Sequence, residues 1–318
     1  MNTQFNITNR FSLTLALILG LGIGLQAQDA VEQAEAAVQD TTWKTGGIVG
    51  AGFNQVSLTN WAAGGLSSIS GNLTVNLFAN YKKDKSTWDN NLDLGYGLLK
   101  QGDEDVQKTD DRIELTSKYG REAWSPHWYY SGLLNFRSQF TEGLDANGVR
   151  FSDIMAPAYI TASLGLDYKP NDKFSAMIAP LTAKFTIVND DLLAAQGAYG
   201  VEPGALVFDT LGVATVTEEG EALRSEFGGA IRLIYQDKLM ENVSLVSRVD
   251  LFSNYENPTY IDVNGDVLFS MKVNDYITTT LGMTVLYDHD ILITDEDGNK
   301  GPRTQFRQIF GVGFAYTL

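Results

Sequence analysis

The amino-acid sequence predicts an all-β fold, a transmembrane antiparallel up-and-down β-barrel of about twelve strands with both termini periplasmic. Three observations carry that reading: apolar and polar side chains alternate through run after run, aromatic rings gather at the ends of the apolar faces, and the connections alternate between short and long. The clearest run is Thr259 to Asn274. Ile261, Val263, Gly265, Val267, Phe269, Met271 and Val273 fall on one face, and Asp262, Asn264, Asp266, Leu268, Ser270, Lys272 and Asn274 on the other. Period-two alternation makes a strand with one apolar and one ionisable face. A soluble sandwich would turn the apolar face inward, so the whole chain has to settle which face meets water.

Residues 1–27 read as an export signal. Arg10 supplies a basic start, Phe11 to Leu25 is apolar, and Leu25-Gln26-Ala27 ends on the small residue that a signal peptidase needs. The chain contains 0 Cys, which excludes both a lipid-anchored cysteine and disulfides. Residues 28–42 form an acidic periplasmic lead-in whose Asp29, Glu32, Glu35 and Asp40 face no base, so a solvated segment is expected. Beyond the signal no apolar stretch reaches the roughly 18 residues of a spanning helix. With 23 Lys and Arg against 39 Asp and Glu, and a net charge of -16, the chain is a poor partner for nucleic acid.

The barrel is expected over residues 43–318. Its first strand, about Thr45 to Leu58, is Gly-rich and less regular. The second sets Ile69, Leu73, Val75, Leu77 and Tyr81 against Ser70, Asn72, Thr74, Asn76 and Lys82; the third sets Trp88, Leu92, Leu94 and Tyr96 against Asp89, Asn91 and Asp93. Strands four, five and six turn Ile113, Leu115 and Tyr119, then Trp128, Leu134 and Phe136, then Ile160, Leu164 and Tyr168 away from Arg112, Glu114, Lys118, Arg137 and Asp167. The seventh, Lys173 to Val188, contains Pro180, which cannot donate to a ladder and so implies a bulge or a rim position. Strands eight and nine oppose Phe227, Ile231, Leu233 and Tyr235, then Val243, Leu245, Val249 and Tyr255, to Arg224, Glu226, Arg232, Arg248 and Asp250. In the tenth, Asn264-Gly265 could mark a hairpin, but the unbroken alternation favours one long strand. Strand eleven carries Ile277, Leu281, Met283 and Tyr287, and strand twelve runs to Leu318.

The apolar face is expected outside. The runs exceed the five or six residues usual in soluble domains and suffice to cross hydrocarbon at a tilt. Tyr81, Trp88, Tyr119, Trp128, Tyr168, Tyr235, Tyr255 and Tyr287 sit where an interfacial girdle would place amphipathic rings. Short connections at Lys82 to Thr87, Glu122 to Pro126, Lys169 to Asp172, Gln236 to Asn242 and Asn274-Asp275 alternate with longer ones. The longer ones are Asn60 to Ser68, Gln101 to Thr109, Thr141 to Met155, Asn189 to Glu221 and His289 to Pro302, the asymmetry of periplasmic turns and outer loops. Lipid offers no hydrogen-bond partner, so the first and last strands must pair with each other.

Several strings go beyond architecture: Asn54-Gln55, Asn60-Trp61-Ala62-Ala63-Gly64-Gly65, Trp88-Asp89-Asn90-Asn91-Leu92-Asp93, Lys108-Thr109-Asp110-Asp111, Gln139-Phe140, Ala156-Pro157-Ala158-Tyr159, Asp167-Tyr168-Lys169-Pro170 and Tyr287-Asp288. In this order they resemble a family of Bacteroidota outer-membrane barrels catalogued as a domain of unknown function. The resemblance implies the barrel and the outer membrane, with lipid and lipopolysaccharide around it. It brings no substrate and no catalytic residues. The alternating C-terminus likewise resembles the strand that barrel-assembly machinery recognises, although it ends in Leu rather than Phe.

For chemistry the candidates are few. His127 lies in a short turn. His289 stands between Asp288 and Asp290 at the outer rim, where an imidazole flanked by carboxylates could activate water in a membrane hydrolase; a solvated loop start is the plainer expectation. No Gly-x-Ser-x-Gly supports a lipase, and Asp295 to Asn299 fails the calcium-loop pattern because Ile293 and Thr304 occupy ligand positions. No cofactor or resident metal is expected. Asp103, Glu104, Asp105, Asp110 and Asp111, and the acids of Asn189 to Glu221, predict a solvated acidic surface or, more sharply, a divalent-cation bridge to lipid phosphates. Arg137, Arg224, Glu226, Arg232, Arg248, Asp250, Asp262, Asp266 and Lys272 are expected to line a lumen part-filled by salt bridges, leaving a narrow or gated conduit for small polar solutes. A structural or adhesive barrel acting through the Asn189 to Glu221 loop is the alternative besides the rim hydrolase.

Overall fold

The computed structural model describes residues 42–58, 66–144, 148–209, 214–274, 276–294 and 299–317. The expected export signal, nearly all of the lead-in, Asn60 to Gly65, Asp295 to Gly298 and Leu318 lie outside the described residues. The strands of the barrel are β1 (Trp43–Val56), β2 (Ser68–Lys83), β3 (Ser86–Gln101), β4 (Gln107–Glu122), β5 (Trp128–Ser138), β6 (Ala158–Asn171), β7 (Phe174–Ile187), β8 (Leu223–Met240), β9 (Val243–Asn254), β10 (Asp262–Lys272), β11 (Ile277–Tyr287) and β12 (Gln305–Thr317). Each is antiparallel to its sequence neighbours, and β1 pairs with β12 through Ile48 with Thr317 and Ala51 with Phe314, so the sheet closes with no free edge.

Pairing fixes the faces, because residues directly opposite in a ladder point the same way. Arg248, Asp266, Thr284 and Arg307 form one row across β9 to β12, and Glu114, Asp93, Asn76 and Ile48 another across β4 to β1. Arg248 reaches Glu114 although β5 to β8 lie between them on one side and six strands on the other, which only a path through the lumen allows. The ionisable face is therefore inside. Outside, Leu73, Leu115, Leu134, Leu164, Ile178, Phe227, Phe310 and Phe314 are exposed, a contiguous apolar surface much larger than soluble monomers display.

Pro180 sits at a bulge. Between Thr182 and Ala179, β7 carries one residue more than β8, and between Leu181 and Ile178 it carries one more than β6. The missing N–H thus falls where the ladder is already interrupted. Gly165 lies opposite, and a Cβ there would stand 2.1 Å from the Ile178 carbonyl oxygen, so the bulge needs glycine as its neighbour.

Two expectations change. The tenth strand starts at Asp262 rather than Thr259: the connection from β9 turns through Pro258, with the Asn257 N–H bonded to the Asn254 carbonyl and the Tyr260 N–H to that of Asn257. That connection, 255–261, is short, so the alternation of short and long connections breaks at this one place. As the unbroken alternation predicts, Gly265 lies within β10, paired to Val249 and Val285, and marks no hairpin.

The long connections fold on themselves. Small hairpins join Gly143–Leu144 to Arg150–Ser152, Ala205–Phe208 to Ala214–Glu218, and Leu292–Thr294 to Lys300–Pro302. Between β7 and β8 a short helix α1 (Asp191–Ala195) buries Leu193 and Ala194 against Ala156, Val188 and Val201. Asp190 caps α1 by accepting from the Leu193 N–H at 2.8 Å, and Arg150 from the preceding outer loop reaches the same carboxylate at 2.9 Å.

Candidate functional site

The lumen is the candidate site, and its wall has two unlike halves. On the β4 to β8 half, polar groups and a small apolar cluster fill the interior. Lys118 is held by Asp167 at 2.7 Å and by Ser175 at 3.0 Å, while Leu133, Met177 and Ala179 pack beside them. Lys169 reaches past β4 and β5 to Asp89 at 2.5 Å.

At mid-height the Glu114 carboxylate accepts both terminal nitrogens of Arg248, at 2.6 and 3.2 Å, and the Asn135 amide at 3.0 Å. Arg248 also donates to Asp266 at 2.7 Å, and Arg232 forks onto Asp250. A bidentate pair of this kind is short, directional and strong in a region shielded from water. It forms a strut from one wall to the other. Nearer the outer end Lys184 gathers Asp262 at 2.6 Å, Asp288 at 2.9 Å and Glu226 at 3.5 Å, and Arg224 joins Glu226 to Asp290. Arg307 crosses to Asp110 at 3.0 Å.

The other half, from β9 through β12 to β2, is open. Ile48, Phe78, Leu268 and Ile309 point inward by register yet remain 40%, 38%, 41% and 40% exposed, whereas Glu114 and Lys118 are each 5% exposed and Asp167 0%. Glycines thin this wall: Gly50 lies opposite Thr74, Gly282 opposite Leu268, and Gly311 opposite Thr280. Inward surface thus stays accessible beside the strut, ionic on one flank and apolar on the other.

The nine residues expected to line the lumen all lie on inward positions. Arg224, Glu226, Arg232, Arg248, Asp250, Asp262 and Asp266 enter the ion network. Arg137 lies 5.0 Å over the Tyr159 ring, and Lys272 ends the inward face of β10 opposite Thr278. Lys184, the hub of the outer cluster, is absent from that expectation because Pro180 obscured the register of β7. Glu114 and Lys118 were legible as polar-face residues, but nothing in a single strand says which residue it faces across the lumen.

Of the expected girdle, Tyr81 and Trp88 group with Trp43, and Trp128 and Tyr168 with Trp124, all at the short-turn end. Tyr119 pairs with Ser86 at the same end, and the Tyr235 hydroxyl donates to Asp237. Tyr255 stands at the opposite end and donates its hydroxyl to the Pro180 carbonyl at 2.6 Å. Tyr287 lies 3.4 Å from His289 Nδ1. The three side chains of the rim triplet go to separate partners. His289 stacks on Tyr260 with centroids 3.4 Å apart, Asp288 is bound by Lys184, and Asp290 by Arg224. Among the acids read as a surface cluster, Asp110 faces Arg307 and Asp111 is taken by Lys108 and the Phe140 and Thr141 N–H groups.

Fold and site together define a closed twelve-stranded β-barrel with an ionic interior and an apolar exterior. Residues 53–144 match the family described as "Protein of unknown function (DUF3078)". No curated protein matches the chain. Similar solved structures include the COG4313 outer membrane channel from Pseudomonas putida F1, at 9% identity and TM-score 0.38 over 86% of this chain and 95% of that one. A NanC porin shows 9% identity and TM-score 0.34 over 84% and 98%, and the P. putida toluene transporter TodX 12% and 0.30 over 88% and 80%. Likeness this distant carries no argument about solutes; the barrel is established by the chain's own strand pairing.

Proposed function

We propose that the chain is an outer-membrane barrel that conducts small polar solutes through a narrow passage beside the Glu114–Arg248 strut. The observation that carries this reading is the division of the interior: charged groups close one half by pairing across it, while inward side chains on the other half stay accessible. An apolar exterior with an ionic interior suits a hydrocarbon surround, because charges cost most where they can find neither water nor a partner. The folded outer connection carrying α1 would narrow the entrance: Gly200 lies against the Arg224 guanidinium and the Asp290 carbonyl at the outer cluster.

Purified protein in planar bilayers tests this directly. Discrete current steps of small, uniform size are expected; a silent bilayer containing correctly folded barrel, across a range of salt concentrations, would overturn the conduit and leave a structural or adhesive barrel.

A further inference from the structure

One stretch of the open half carries charge of a single sign. Beyond Asp266 toward the short-turn end, the inward positions of β9 to β12, and every inward position of β1 and β2, carry no carboxylate. They carry hydroxyl and ammonium groups instead. From the foot of β8, residues directly opposite one another run Lys238, Ser244, Ser270, Thr280 and Gly311 across to β12. Lys44, opposite Asn80, and Lys82, opposite Thr87, stand at the same end on β1 and β2. All three lysines are exposed.

The carboxylates that could offset them are few and mostly engaged. Asp89 is held by Lys169 and Asp167 by Lys118, which leaves Glu122 at the foot of β4, so inward ammonium groups outnumber inward carboxylates at this end among the described residues. At the other end acids are in surplus, but Asp262, Asp288 and Glu226 are drawn in around Lys184, and Glu226 is only 6% exposed. A passing ion thus meets exposed charge of one sign at the short-turn end. Low-dielectric walls focus the field of such charges into the passage, and lysines lining a pore favour anions. We infer that the conduit passes small anions in preference to cations, with Lys44, Lys82 and Lys238 setting the preference and the hydroxyls of Ser244, Ser270 and Thr280 available to donate to the ion. This names the charge class of the solutes and rests on the conduit proposed above.

Reversal potentials of the full chain in planar bilayers, under a potassium chloride gradient, read the preference directly. At about 0.1 M salt chloride is expected to pass about threefold more readily than potassium, and in K44Q/K82Q/K238Q the ratio should fall close to parity. K83Q/K85Q is the control: Lys83 lies on the outer face of β2 and Lys85 in the turn that follows, so the preference should remain. Should the triple variant not fold, a salt series on the original protein decides, because at about 1 M the screening length shrinks to about 3 Å and the preference should fade. Current without an anion preference, a preference that survives in the triple variant or at high salt, or one that the control variant loses equally overturns the inference and keeps the conduit. A silent bilayer overturns the conduit and the inference with it, so the presence of current tells the two failures apart.

Discussion

Glu114 illustrates how much a single side chain sets in this interior. It is nearly fully buried, accepts three hydrogen bonds and spans the lumen to Arg248. Replacing it leaves Arg248 with Asp266 at 2.7 Å and Asp250 at 3.4 Å, so the cation is not orphaned. For E114A a loss of about 1.5 to 3 kcal/mol is expected, the range for hydrogen bonds to charged groups, measured by urea unfolding in lipid vesicles. Removing the strut also joins the two halves of the lumen, so unit conductance in planar bilayers should rise; an unchanged unit conductance would show that the narrowest point lies elsewhere. The sign of this charge was readable from alternation alone. Its partner was not, because alternation reports a face and says nothing about distance around a ring.

At the scale of elements, the strands were legible and the outer connections were not. Alternation survives because every barrel residue faces either the lumen or the outside, so β2, β3 and β9 announce themselves. Pro180 announced a bulge for the same reason: a residue without an N–H has few places in a ladder. The connection between β7 and β8 gave only its acidity, although Asp190-Asp191-Leu192-Leu193-Ala194-Ala195 carries an N-cap followed by good helix formers, a start signal too short to stand out. Its stability rests on Asp190. Partial burial works against the charged form, but the Leu193 N–H and Arg150 outweigh it and hold the carboxyl below the usual carboxylate range. A group lowered in this way contributes stability that is complete above its unfolded value, near pH 4, and is lost as pH falls through the folded one. Pepsin cleavage within 189–221 should therefore accelerate below about pH 4, and D190A should show that acceleration already at neutral pH with other proteases, since losing an N-cap costs about 1 kcal/mol. Equal cleavage of both proteins at neutral pH would assign the order of this segment to the Ala156, Val188 and Val201 packing instead.

For the whole molecule, the question is which surface meets water, and one substitution answers it by the size of its effect. Leu164 lies midway along β6 on the outer face, opposite Gly132 and Leu181, and is 60% exposed. On a protein surrounded by water, arginine at such a position would be tolerated within a few tenths of a kcal/mol and would reduce self-association. In a barrel surrounded by hydrocarbon it places a cation at depth with no partner, and the loss should be about 2 to 4 kcal/mol. The paired control is Thr280→Lys on the inner face of the open half, where water is available; the added bulk should lower unit conductance while leaving unfolding in vesicles nearly unchanged. Strong destabilisation by L164R together with a stable, less conductive T280K places the ionic face on an aqueous lumen and the apolar face in lipid. The reverse outcome, with L164R neutral and T280K unfolding the barrel, would mean that the charged network is the buried core of a water-soluble barrel whose greasy exterior is covered by something other than a bilayer.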